Sequence, residues 1–234
     1  MTATAADVQA ALAAQASAAD AVHLQRFFKT GPGDYAAGDV FIGVRVPETR
    51  KVAKEFRELP GAELDVLLDS PVHEHRLAAL IVMNAQYKRA PAETVERYLA
   101  AVRRGRVNNW DLVDVSAENI LGPWLYERDR ALLDEFAASE SLWERRVAVL
   151  TTFAFIKRGD PSTTLALAVR LLPDRADLIQ KAVGWMLREV GKKVDRAVLT
   201  GFLDTHAPDM GRTALSYATE HLDPEVRAAY RAMR

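Results

Sequence analysis

The sequence predicts an all-α chain of stacked helix pairs, and three observations predict it. Apolar residues recur at helical spacing through most of the 234 residues, and no stretch reads convincingly as a strand. Start signals recur at the joints: SPVHE, SLWE, DPS, DLIQ and DPE each place Ser or Asp ahead of Pro, Glu or Gln. Arg76, Asp111, Arg146 and Lys181 are spaced 35 residues apart and hold the same place in successive long helical stretches. Helix-pair units of that length, stacked on one another, are the mark of an α-solenoid, most like HEAT repeats, whose long helices line one concave binding face. The chain is read as one repeat domain, 1–234, with helices and a loop in 1–46 and stacked pairs in 47–234.

Taken in order, residues 1–30 hold two helices, the second (VHLQRFFK) amphipathic. GPGDYAAGDVFIGVRV, 31–46, is rich in Gly and reads as a loop. It is not GxGxxG after a strand, and no Walker pattern occurs, so nucleotide binding has little support. Pro47 then opens a helix, PETRKVAKEFREL. Beyond it, long helical stretches (HEHRLAALIVMNAQYK, NNWDLVDVSAENILGPWL, LWERRVAVLTTFAFIK, DLIQKAVGWMLREVGK, MGRTALSYATEHL) are separated by shorter ones (AETVERYLAAVRR, RALLDEFAAS, TTLALAVRLL, DRAVLTGFLDTH, PEVRAAYRAM). The last unit, around Arg212, falls short of the register, as terminal units often do.

Composition excludes several classes. With no Cys there is no disulfide framework, thiol nucleophile or Cys-based zinc site. No apolar run approaches membrane-spanning length, and the Ala-rich N-terminus lacks a basic n-region and an apolar h-region, so a cytoplasmic protein with no membrane role is expected. The five His are scattered, and no metal site is expected. Net charge is −1, but it is unevenly spread. Residues 88–106 hold six basic groups against two acidic, 107–140 two against eight, and 141–196 eleven against six. A neutral total can therefore conceal a basic surface, although solvated scatter gives the same counts.

The stretch NNWDLVDVSAENILG, Asn108 to Gly122, carries the chemistry. Asn108 reads as an N-cap, with Asp111 in the first turn. Leu112, Val113, Ala117, Ile120 and Leu121 make an apolar side, and Trp110 and Asp114, four apart, share the other. Take the place of Asp111 as zero in each long helix. Places +1 and +2 are then apolar in all four, while −1, 0, +3, +4 and +7 gather Trp110, Asp111, Asp114, Arg146, Lys181, Trp185 and Arg188. Two indoles, an acid and several cations are expected to meet there. Each residue also has a plain reading: Asp111 as a helix-dipole partner, Arg146 as an ion-pair partner of Asp111 or Asp114, Trp185 at the core's edge. Trp124 and Trp143 are assigned to packing between helices. Asp114 is the hardest to explain that way, because place +3 is otherwise Ala79, Val149 and Gly184.

NNWDLVD, LWERRVAVL and KAVGWMLREVG resemble the signature segments of the AlkD-type DNA alkylation repair enzymes, and FIGVRVPETRK resembles that family's N-terminal segment. The resemblance runs from about Phe27 to about Arg212. It implies a HEAT-like DNA glycosylase that releases N3- and N7-alkylated purines from duplex DNA, working on the stacked lesion without flipping it. By local match it implies Trp110, Asp114, Arg146 and Trp185 as the catalytic set. The chain departs from relatives at Asn109, where many carry Trp, and at Phe27, where some carry Tyr; its last helix is also less basic than in some relatives.

Such chemistry suits these groups. An alkylated purine cation leaves readily, so the need is to stabilise a sugar that becomes oxocarbenium-like. Asp114 is expected to do so and to align water. Trp110 and Trp185 attract cations. Arg146 is expected to anchor phosphate beside them. Arg76, Lys181, Arg188, Phe27, Phe28, Arg45 and Arg212 are further candidates for DNA contact. No cofactor is required, and a monomer is expected. Two alternatives stay open: a non-catalytic relative that binds branched or damaged DNA, and a protein-interaction scaffold.

Overall fold

A computed structural model describes residues 2–233 of the chain. The chain forms two compact units, residues 1–116 and 117–234. Among the described residues there are fifteen helices, and the one β feature is an isolated parallel bridge, Val40 to Val72. The fold is all-α, as the periodicity requires.

The first unit begins with α1 (Ala5–Ala13), closed by a capping box between Thr4 and Asp7. α2 (Ala18–Phe27) is capped by Ser17 and has no buried residue of its own. α3 (Val46–Glu55) carries Pro47 in its first turn, as expected. α4 (Gly61–Leu68) is a helix the sequence reading did not include. It is eight residues long, starts on Gly without a side-chain cap, and buries Leu64, Leu67 and Leu68; that burial stabilises a segment too short and poorly capped to stand alone. α5 (His73–Gln86) and α6 (Pro91–Arg103) follow, and the unit boundary falls inside α7 (Trp110–Leu125). α5 is central, packing against α1, α3, α4 and α6.

The Gly-rich segment is a fixed loop laid over the start of α5. The Glu74 carboxylate, 1% exposed, accepts the backbone N–H groups of Ile42, Gly43 and Val44 at 3.1, 2.8 and 3.2 Å. Three donors that would otherwise be unpaired thus meet one buried charge. Gly43 has φ +83°, and a Cβ there would lie 2.0 Å from the Ser17 carbonyl oxygen, so only glycine fits. Ser70 does not cap α5. Its hydroxyl accepts the Val72 N–H at 3.1 Å and meets His75 Nδ1 at 2.8 Å.

The second unit holds the rest of α7, then α8 (Ala131–Ala137), α9 (Leu142–Thr151), α10 (Phe153–Ile156), α11 (Ser162–Arg170), α12 (Asp177–Lys193), α13 (Arg196–His206), α14 (Arg212–Ala218) and α15 (Pro224–Ala232). The expected single helix over LWERRVAVLTTFAFIK is two, α9 and α10, parted at Thr152. The Thr151 and Thr152 hydroxyls donate back to the Val147 and Val149 carbonyls, both at 2.7 Å, and compete with the helical ladder. α12 is central and packs against α9, α10, α11, α13 and α14. α14 comes so close that a Cβ on Gly184 would lie 2.4 Å from the Ala214 carbonyl oxygen.

The repeat register identifies the core. Places +1 and +2, namely Leu77, Ala78, Leu112, Val113, Val147, Ala148, Ala182 and Val183, are all buried. Place +3, expected on an open face, is interior at Ala79, Val149 and Gly184. Helical spacing identifies one covered face; it does not reveal that α5 and α12 are covered on several sides. At Gly184 that side of the helix is covered by α14.

Candidate functional site

Trp110 and Asp114 both lie on α7, half-buried and one turn apart, as the spacing requires. One face of the Trp110 indole lies against Phe28, ring centres 5.1 Å apart and planes 21° from parallel. Phe27 meets the same indole edge-on at 6.0 Å and is 57% exposed. Asp114 lies near the buried Tyr98 hydroxyl, which accepts a 3.0 Å hydrogen bond from Ser116. Burial above all, with the Asp114 charge adding to it, pushes that phenol well above its ordinary pKa, so it stays neutral.

Two residues proposed for DNA contact lie elsewhere than expected. Arg76 is 2% exposed, and its guanidinium meets Asp39 at 2.7 Å, the Ser70 carbonyl at 2.7 Å and Asn108 at 3.2 Å. The loop over α5 covers it, so it is an interior ion-pair partner with no route to a phosphate. Phe28 is 6% exposed, packed against Trp110, Phe41 and His73, and supports the indole instead of touching a ligand.

In the second unit, Arg146 on α9 is buried and gives one Nη proton to the Leu178 carbonyl at 2.6 Å. Trp185 on α12 is half-buried, its ring 6.0 Å from that of Phe153. Lys157 and Lys193 stand 4.3 and 5.8 Å from the Phe153 ring centre. Lys181 pairs with Asp177 at 2.8 Å, one turn back on α12. Arg188 pairs with Glu189 and Glu220. Arg45 in the first unit pairs with Asp20 at 2.8 Å but is largely exposed, and Arg212 is exposed at the start of α14. Trp143 is buried, as a packing residue should be; Trp124 is half-buried with the Arg128 guanidinium 4.0 Å over its ring.

The sequence reading missed a buried ionic network at the start of α7. Asn108 is not a simple cap: its side-chain amide donates to Asp39 at 2.9 Å while its oxygen accepts from Arg76. His73 stands between Asp111 at 2.8 Å and Asp39 at 3.2 Å. Burial opposes its charge, but the Asp111 charge and hydrogen bonds to both carboxylates prevail and raise its pKa to about 9. Asp39 is held below its ordinary pKa: burial opposes this, and His73, Arg76 and Asn108 together overcome it. No local signal reveals the network, since its members stand 34 and 38 residues from His73. Among the described residues no group of three His, Cys, Asp or Glu is arranged to hold a metal, and no helix is long and apolar enough to cross a membrane.

Comparison with known families matches residues 8–222 to the family described as DNA alkylation repair enzyme. Among solved structures, one titled a predicted DNA alkylation repair enzyme from Enterococcus faecalis is similar, with TM-score 0.73 and 20% identity over 90% of this chain and 98% of that one. Comparison with curated proteins finds no match.

Proposed function

The chain belongs to the DNA alkylation repair enzyme family, and we propose that it is a monofunctional DNA glycosylase releasing cationic N3- and N7-alkylated purines from duplex DNA without flipping them. The observation that carries this reading is the family match across residues 8–222. The Trp–Asp pair one turn apart on α7 supplies the chemistry.

In the proposed reaction the C1′–N bond breaks and its electron pair passes to the purine, neutralising the alkylated ring. The sugar left behind is cationic. Asp114 stabilises it by charge and aligns the water that adds to C1′; the proton that water loses passes to the carboxylate or to solvent. The indoles of Trp110 and Trp185 attract the lesion and the sugar cation, each interaction worth roughly 0.5–2 kcal/mol. With one face of Trp110 taken by Phe28, its other face or its edge serves that purpose. Phe27, Arg45, Lys181, Arg188 and Arg212 are proposed for contact with the DNA backbone. The protein acts as a monomer and needs no metal or organic cofactor.

The test is release of free 7-methylguanine from methylated duplex. Wild type is expected to release it. Asp114→Asn is expected to lose release by about 10²–10³-fold while still binding DNA. Unchanged release by that variant removes Asp114 from the mechanism. Duplex binding without release by wild type favours a non-catalytic binding protein.

A further inference from the structure

Trp110 and Asp111, neighbours in the first turn of α7, are tied to the same buried side chain by two independent routes. Asp111 reaches His73 directly, Nε2 to carboxylate, at 2.8 Å. Trp110 reaches it through a cluster of rings: Trp110 lies on Phe28 at 5.1 Å, and Phe28 meets the His73 imidazole at 5.3 Å and Phe41 at 5.0 Å, with Phe41 itself stacked on His73 at 4.4 Å. The far nitrogen of His73 meets Asp39, which also holds Arg76 and Asn108. Asn108, ahead of the first turn, and the turn itself are thus tied to one cluster.

The cluster is charge-balanced: Asp39 and Asp111 against His73 and Arg76. His75 and Arg106 are the next titratable groups outward, and each acts on Arg76 or is acted on by it. A buried ionic cluster adds little net stability over an apolar one of the same shape, so its use is geometric. The proposed reaction needs such geometry, since a misplacement of about 1 Å in a catalytic group costs about 100-fold in rate.

We propose that His73 is a positioning residue for base release: clamped between two aspartates and packed against Phe28 and Phe41, it sets the plane of the Trp110 indole and the placement of the α7 turn that leads to Asp114. It touches neither substrate nor reacting atoms. The inference rests on the proposed glycosylase reading.

The test is single-turnover release of 7-methylguanine with protein in excess, alongside duplex binding and circular dichroism, for wild type, His73→Gln and Asp111→Asn. His73→Gln is expected to lower the saturated rate by about 100-fold with the duplex Kd unchanged. Asp111→Asn keeps a hydrogen-bond acceptor but removes the charge that favours the imidazolium. Its rate is expected to fall as pH rises through neutrality and to recover in mild acid, whereas wild type holds its rate to about pH 9. In ¹H–¹⁵N spectra the Trp110 indole N–H is expected to shift in step with the His73 titration. If His73→Gln does not fold, the Asp111→Asn pH profile and the indole shift decide the matter. Equal saturated rates and equal pH profiles in all folded variants overturn the positioning role alone. Absence of release by wild type overturns the glycosylase reading and the positioning role together.

Discussion

Stability is expected to fall between about pH 6.5 and about pH 9 because of a single imidazole. In the folded chain the His73 pKa stands at about 9 against an ordinary value of 6.5, burial being outweighed by the Asp111 charge and the two carboxylate hydrogen bonds. Unfolding removes those partners, so between the two values the unfolded chain binds fewer protons and rising pH favours it. The contribution is therefore whole below about pH 6.5, declines above it, and is gone once pH has passed the folded value of about 9. The gap from 6.5 to about 9, at about 1.4 kcal/mol for each pH unit, is worth roughly 3 kcal/mol, a large share of the net stability of an ordinary domain. The assay is urea unfolding of wild type and His73→Gln across that range, read as the difference between the two, so that other titrating groups cancel. His73→Gln is expected to be less stable than wild type in mild acid, and the deficit is expected to shrink by about 3 kcal/mol as pH rises past about 9. A deficit that stays constant with pH would falsify the placement of a charged imidazole between Asp39 and Asp111.

Further substitutions probe the close approaches that hold each unit together. Gly43→Ala meets both a positive φ and the Ser17 carbonyl at 2.0 Å, and neither backbone can yield; a loss of about 3 kcal/mol or more in unfolding free energy is expected. Gly184→Ala and Gly201→Ala are expected to act with opposite signs. At Gly184 the new methyl meets the Ala214 carbonyl at 2.4 Å, and overpacking is expected to cost about 1–3 kcal/mol. At Gly201, in α13, nothing lies within 4 Å, and better helix propensity is expected to add up to about 1 kcal/mol. Thermal melts of the two variants check both signs at once.

Local pattern alone determined much of this protein. The all-α class, the start of α3 at Pro47, and the buried places Leu77, Ala78, Val147 and Ala148 all follow from spacing that a helix imposes on its own side chains. So does the pairing of Trp110 with Asp114 on one helix face, because a turn of helix is a local object. Tertiary structure decided what lies on top of those helices. Arg76 reads as a surface cation at helical spacing, yet a loop residue 37 positions earlier, Asp39, covers and neutralises it. Phe28 reads as a ligand contact, yet Phe41, His73 and Trp110 pack against its ring. α4 forms through burial that its own eight residues do not announce. The clamp on α7 joins Asp39, His73 and Asp111, whose proximity depends on how the Gly-rich loop lies over α5. Periodicity records which side of a helix avoids water; which distant segment supplies the cover, and with what charge, is settled only when the chain has closed on itself.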